Sequence, residues 1–479
     1  MIDFDGENLC HDPVHGYVPF TAPRKTREWT ANEPMADEPE ATERRLIDHP
    51  WVQRLRHIRQ LQAAWWVFPG AEHHRFQHVL GVMRLATRAV ERLYPSLLRA
   101  CPDVPSFGYV ESLLRVAGLL HDVGHGPLGH FFDDQFLKRH GLTHETLGAH
   151  IIRTELADEI RGLRRTPNAE LAAGETLDPD QVAWLIVRPR DPAADARRPR
   201  WLVMLRSLLC GVYTIDNMDF VLRDAYMSGY SPRAYDLDRL LHYSFFSERG
   251  LTIHERGIDA LLRFLSVRAE LFRSVYFHRT VRGLEISLAE LFGESRDFLF
   301  AKSPLEDLAK YQRFHETYLW AEVDRWPDAE DLRKRELGER WRRLLAREIP
   351  WRMVCQRRLA FKSLQEESGS VFCDARSLER RLRDVLPSEF RDIEITCDSA
   401  RTKIRDRSGA GQETNFFYDA ARGRIRPLSD DLLYRELPLA HRVCRVYAKS
   451  EEHAAAITTA VDSLLGEAAA AEYDDLTNM

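Results

Sequence analysis

The sequence predicts a mainly α protein, with a helical core, a charged helical lobe and a small C-terminal α+β appendage. Three observations carry that expectation. Apolar residues recur at three- and four-residue spacing over most of residues 42–300. From about Ser303 to Arg358 the spacing persists but charge is dense. Beyond Val371, short β-branched and aromatic runs alternate with helical pieces.

The elements follow in order. The first 45 residues are rich in Pro, Glu and Thr, with a short strand pair expected around HGYVPF. ATERRLIDHPWVQRLRHIRQLQAAWWVF sets Leu46, Ile47, Val52, Leu55, Ile58 and Leu61 at helical spacing. His78–Leu98 and Val110–His121 read as amphipathic helices, and GLTHETLGAHIIRTEL continues the pattern. Residues 161–200, dense in Arg, Pro, Ala and Asp, read as an exposed insertion. Helical patterning returns from Trp201 to Phe246, pauses at a hairpin in ERGLTIHERG, and resumes from Ile258 to Phe292. IEITC, KIRDRSG, TNFFYD, GRIRPL and HRVCRVYAK are strand candidates, and AEYDDLTNM reads as a frayed tail. The expected organisation is a core over 1–300, a helical lobe over 301–370 and an appendage over 371–479.

Composition narrows the function. The net charge of −6 supplies no basic field for nucleic acid. No apolar run is long enough to span a membrane, and MIDFDGENLC lacks the pattern of a secretory signal. Seven scattered cysteines without a CxxC pair fit reduced thiols, so a cytoplasmic protein is expected.

The chemistry concentrates in GLLHDVGHGPLGHFFDD, Gly118–Asp134. Nine of the nineteen histidines fall between His73 and His150. His78 stands near one helix start, and His121 and Asp122 stand at the end of another. His125, His130 and His144 follow on the same set of helices. Burying so many ionisable groups without a shared ion or substrate costs several kcal/mol. Imidazole and carboxylate ligands suit a divalent Mn, Mg, Fe, Ni or Zn ion. A fourth ligand is needed, and VYTIDNMDFVLRDAY offers Asp216, Asp219 and Asp224.

The set H…HD…D resembles the metal signature of the HD-domain phosphohydrolases. DPVHGYV, QRLRHIRQL, WWVFPGAEHHRFQHVLGV, AGLLHDVGHGPLGHFFDD and THE follow in the order of its dNTP triphosphohydrolase branch. The resemblance is strong over residues 10–150 and clear again over 201–290. It implies cleavage of a dNTP by water to a deoxynucleoside and triphosphate. It implies His78, His121, Asp122 and Asp216 as metal ligands, His125 and His130 near the α-phosphate, and His144 as general acid paired with Asp133. A histidinium backed by a carboxylate is chemically suited to protonate a leaving 5′-oxygen.

The same resemblance assigns Gln60, Leu61, Arg75, Asn217, Asp224, Arg268 and Tyr276 to the substrate. It assigns Asp48, Gln53 and Arg56 to an allosteric pocket for GTP or dNTP, which would bridge subunits of a dimer or tetramer. Three positions depart from the family: Asn217 replaces a triphosphate-binding Lys, Phe220 a sugar-contacting Tyr, and Phe277 a base-reading Gln. They leave open an HD phosphohydrolase acting on nucleoside monophosphates or other nucleotides. The Arg-rich segments leave open a nucleic-acid-binding or sensing protein with a secondary HD site.

Overall fold

The long helix Arg75–Ala100 organises the core. Its start is capped by His74 and Gln77, with the Gln77 side chain 2.9 Å from the His74 amide. Phe76, Val79, Leu80, Met83, Ala86, Val90, Leu93 and Leu97 form one buried stripe. Phe107–Leu120, capped by Ser106, packs against it and is buried at nearly every position. The two helices approach closely at Gly118, where a Cβ would meet Val82 Cγ1 at 3.1 Å. The computed structural model describes residues 6–24, 41–188, 197–405 and 415–466. Parts of PRDPAADARRPR and KIRDRSG, and the AEYDDLTNM tail, lie outside the described residues.

Both predicted hairpins form. β1 (Glu7–Asp12) pairs with β2 (Gly16–Thr21), and β3 (Ser244–Ser247) with β4 (Gly250–His254), each antiparallel. The 201–246 region is three helices, Arg200–Arg206, Ile215–Met227 and Leu237–His242. Ile258–Leu271 runs through a π-helical turn, Phe272–Tyr276, before the helix Arg279–Leu299. None of the seven cysteines is in a disulfide.

Two expectations are corrected. Residues 161–188 are not an exposed insertion. The helix Pro179–Ile186 buries Val182, Ala183, Leu185 and Ile186, and Arg165 donates to the carbonyls of Gly6 and Ala22. The charge that suggested a loop is spent instead on pairs such as Asp180 with Arg153 and Arg198.

The boundary at 371 also fails. β5 (Arg352–Phe361), read as helical because of its arginines, pairs with β9 (Ala440–Ala448), and β6 (Ile395–Lys403) pairs with the other side of β9. β7 (Asn415–Asp419) adds in parallel to β4 of the core hairpin, and β8 (Arg424–Pro427) follows it. Phe417, Leu428 and Tyr434 therefore belong to the main hydrophobic core, whereas Leu378, Leu382, Ile395, Val446 and Ile457 form a separate small one.

Candidate active site and metal centre

His121 follows the Phe107–Leu120 helix with helical angles, φ −60° and ψ −28°. Its Nδ1 lies 2.8 Å from the Gly118 carbonyl, which leaves Nε2 for the site. His78, one turn into the long helix, is oriented in the same manner: its Nδ1 lies 2.7 Å from Asp219 Oδ2. Its Nε2 then meets His121 Nε2 at 3.2 Å and Asp216 Oδ1 at 3.1 Å. His121 Nε2 is 3.6 Å from that same oxygen.

Asp122, the fourth expected ligand, lies just outside this trio. Its carboxylate is 3.4 Å from His121 Nε2 and 4.0 Å from His78 Nε2, while Oδ2 accepts from Arg75 Nη1 at 2.7 Å.

Two imidazole nitrogens facing each other beside carboxylates require a proton or a cation between them. The titration of the groups expresses that requirement. Burial alone would discharge His78, but its hydrogen bonds to the Asp216 and Asp219 carboxylates raise its pKa to about 10. Burial likewise opposes charge on His121, and Asp122 outweighs it, raising that pKa. Against their own burial, Asp216 is held below the usual carboxylate range by His121 and His78, and Asp122 by Arg75 and His121. His78, His121 and Asp216 are close enough to hold one divalent ion between them, and this donor set of two imidazoles and a carboxylate fits such an ion. Asp122, beside them, would have to turn from Arg75 to join as a fourth ligand.

Beside this centre stands a second constellation. His144 opens the helix His144–Thr154, and its Nδ1 is 2.6 Å from Asp133 Oδ2. Its ring stacks on His125 at 3.8 Å between centroids, and His130 Nδ1 reaches the same Asp133 oxygen at 3.2 Å. Burial and the neighbouring His125 push the His144 pKa down, against the pull of Asp133. Despite burial, His125 and its neighbours hold Asp133 far below the usual range. His125, His130, Asp133 and His144 are close enough to form a ligand group of their own, but one that would compete with the His144–Asp133 bond.

The turn that carries these residues is tightly specified. A Cβ on Gly124 would sit 2.0 Å from the His144 carbonyl oxygen, so glycine alone permits the approach. Leu128 adopts φ 65°, a left-handed conformation costing about 1–3 kcal/mol, and its amide donates to Glu316 Oε1. Buried Arg54 donates to the carbonyls of His125, Val123 and Phe314, joining the turn to the helical lobe.

The remaining predicted residues divide. Gln60, Arg75, Asn217 and Arg268 line a cleft of about 640 Å³ together with His78, His121, Asp122, His130, His144 and Asp216. Leu61 is a core residue, and Asp224 is buried between His73 Nε2 at 2.7 Å and Tyr276 Oη at 2.5 Å. Arg268 donates to the backbone carbonyls of Val212, Lys403 and Ile404. On the surface, Arg56 Nε donates to Gln53 Oε1, and its guanidinium stacks on Phe76 at 3.6 Å. Asp48 pairs with Arg44.

Asp219 is more than one of three alternative ligands. It is wholly buried and holds His78, His15 and Arg223 at once. Gly81 makes room for it, since a Cβ there would meet Asp219 Oδ1 at 2.0 Å. His15, at the β1–β2 turn, has no local signal in the sequence beyond its place in DPVHGYV, because its partner Asp219 lies 204 residues away.

Comparison with known proteins places the motif. The HD domain family model matches residues 75–194. An uncharacterized protein of Bacillus subtilis is 28% identical over 352 residues, 70% of each chain. The deoxynucleoside triphosphate triphosphohydrolase SAMHD1 of Gallus gallus is 29% identical over 317 residues, 60% of this chain and 46% of that protein. A SAMHD1 homolog of Dictyostelium discoideum is 26% identical, over 60% and 53% respectively. The chain thus spans about half the length of these SAMHD1-named relatives. A crystal structure of a hypothetical protein from Aquifex aeolicus superposes with a TM-score of 0.65 at 22% identity, covering 95% of this chain and all of that one, which shows the fold.

Proposed function

We propose that this protein, whose residues 75–194 match the HD domain family model and whose relatives include SAMHD1 proteins, is a metal-dependent dNTP triphosphohydrolase, converting a dNTP and water to a deoxynucleoside and triphosphate. One observation carries the reading: the His78–His121–Asp216 group with Asp122 lies in the same cleft as His144, whose Nδ1 is fixed by Asp133. An ion held by the four ligands supplies charge stabilisation to the attacked phosphoryl group.

The protein's own groups supply the rest. Arg75, tied to Asp122, presents positive charge to the phosphate oxygens. His130 lines the same cleft, and His125, buried behind it, stacks on the His144 ring and supports it. His144, held by Asp133 through Nδ1, offers Nε2–H to the leaving 5′-oxygen, so the deoxynucleoside departs as a neutral alcohol. Asp133 remains ionised and fixes the ring tautomer. Gln60, with a buried Oε1 lacking a hydrogen-bond partner, accepts a hydrogen bond from the sugar. Asp224 and Tyr276, bonded to each other, support the sugar pocket from behind its wall.

A second reading is favoured by Asn217, a neutral residue on the cleft wall: hydrolysis of a nucleoside monophosphate. Products separate the two. Incubation with each dNTP and Mn or Mg, beside Asp122→Ala, is expected to give triphosphate and a deoxynucleoside that the variant does not form. Orthophosphate released from monophosphates, with every dNTP intact, would replace the first reading by the second.

The reading extends to regulation. Asp48, Gln53 and Arg56 are proposed to bind a guanine nucleotide activator at a subunit contact of a homo-oligomer. Dependence of turnover and of molecular mass on GTP tests this. Nucleic acid is a secondary partner in this reading, and the protein is taken as cytoplasmic. No described helix is long and apolar enough to cross a membrane.

A further inference from the structure

The cleft that holds the metal centre has a wall that the HD domain does not supply. The end of β6 and the residues after it, Arg401 to Arg405, line it opposite the core helices. We propose that this C-terminal strand end is a specificity element, binding the outer phosphates of a polyphosphate substrate. The inference rests on the phosphohydrolase reading for the reaction and goes beyond it in the identity of the binding residues.

Position is the first argument. Arg268, on the core helix Ile258–Leu271, donates Nη1 to the Val212 carbonyl at 3.0 Å and Nη2 to the carbonyls of Lys403 and Ile404, each at 3.2 Å. Among the described residues β6 is an edge strand of its sheet, paired with β9, and Arg268 holds its outer end to the core. Arg268 is thus a strut that pins the strand end to the cleft, rather than a group presented whole to phosphate.

Charge is the second. Arg401 and Lys403, two residues apart on β6, share one side of the strand, and Arg405 follows just beyond its end. Arg401 is neutralised by Glu367, with contacts of 2.6 and 2.7 Å. Lys403 is exposed at the mouth of the cleft, and Arg405, half-buried beside it, donates Nη2 to the Lys362 carbonyl at 3.1 Å while its charge stays on the cleft wall. A substrate whose charge ends at the attacked phosphorus has no use for cations at the mouth. One with a polyphosphate tail does, the more so because Asn217 leaves the core wall without a lysine.

Unused hydrogen-bonding capacity is the third. Thr402 lines the cleft, is 3% exposed, and its Oγ1 has no hydrogen-bond partner. A buried hydroxyl without a partner costs about 1–3 kcal/mol, a cost removed when a ligand oxygen accepts from it.

The test is calorimetric titration, in excess Mn, of the full chain with inorganic triphosphate and separately with orthophosphate. Lys403→Gln, Thr402→Val and the pair Lys403→Gln/Arg405→Gln are compared with the unaltered protein, alongside thermal melts. The paired variant is expected to bind triphosphate at least about tenfold more weakly, with a smaller change for orthophosphate. Lys403→Gln, a change at an exposed site, keeps the test open if the pair fails to fold. Equal triphosphate affinity in the folded variants would overturn the proposal, as would an equal loss for both anions. Because binding is read without turnover, the result stands apart from the dNTPase assay. A protein that leaves every dNTP intact yet loses triphosphate affinity in the variants would overturn the reaction and keep the binding site.

Discussion

Asp219 Oδ2 lies 2.7 Å from His78 Nδ1, and this contact decides which nitrogen of His78 faces the metal centre. With Nδ1 occupied, only Nε2 remains to meet Asp216 and His121.

Asp219→Asn is therefore expected to weaken Mn binding about 10–100-fold while leaving the ligands in place. Activity should fall in parallel when metal is limiting and recover in part when it is in excess. A metal titration followed by calorimetry checks it; unchanged affinity would show that the outer carboxylate does not set ligand orientation. Gly81→Ala should resemble it, because the new Cβ would occupy the space of Asp219 Oδ1.

Metal and proton compete for His78. Its folded pKa of about 10, set against about 6.5 in the unfolded chain, means the metal-free fold gains stability from the protonated ring below pH ~6.5. That gain is lost as pH rises towards 10. Metal-free protein should accordingly show a falling melting temperature over this window, and Mn should flatten the fall. Mn binding should release protons below pH 10, detectable as a dependence of binding heat on buffer ionisation enthalpy.

His144→Gln should lower kcat by about 10²–10⁴-fold with metal affinity retained, as for loss of a general acid. Asp133→Asn should act in the same direction by releasing the ring from its 2.6 Å contact. An acid must carry its proton, so kcat/KM should decline as pH rises through the His144 pKa. Since burial and His125 lower that pKa, the decline should begin below about 6.5. A pH–rate profile with the metal saturating at each pH checks this.

Gly124→Ala should destabilise by about 1–3 kcal/mol or distort the site, because the neighbours of its Cβ are the His144 carbonyl and the Gly148 amide, which are backbone and cannot swing away. Gly293→Ala is the control: it lies in the helix Arg279–Leu299 with open space around its Cβ, and should be neutral or mildly stabilising. Urea unfolding of both variants tests the contrast.

The parts of the site legible in sequence are those whose partners lie nearby in the chain. His121, Asp122, His125, His130, Asp133 and His144 fall within one short stretch, and their helices announce themselves by apolar spacing. Residue chemistry alone leaves Asp216 as one of three carboxylates, because nothing local says which one faces His78; the family resemblance is what singles it out. Asp219 and His15 were hidden for the same reason: their contact joins the first hairpin to a helix far along the chain. β5 resembles a helix by its charge, but its arginines find partners far along the chain, as Arg357 does in Asp462 of the helix Ala454–Leu465, and not one helical turn away. The 161–188 segment was misread because its polar residues cap and brace buried helices.

One consequence lies in the route of the chain through its two larger sheets. It lays down β5 and then β6 as the two outer strands of one sheet, leaves for the core hairpin to add β7 and β8, and returns as β9 between β5 and β6. The C-terminal strands are therefore threaded through both bodies and do not hang from one of them. A single protease nick between β4 and β7 would leave two fragments still joined by the parallel ladder Leu251–His254 with Asn415–Tyr418. Such a nicked molecule should migrate as one particle until denatured, and truncation at the apparent change of composition near residue 371 would strip two strands, β7 and β8, from the sheet of the core hairpin.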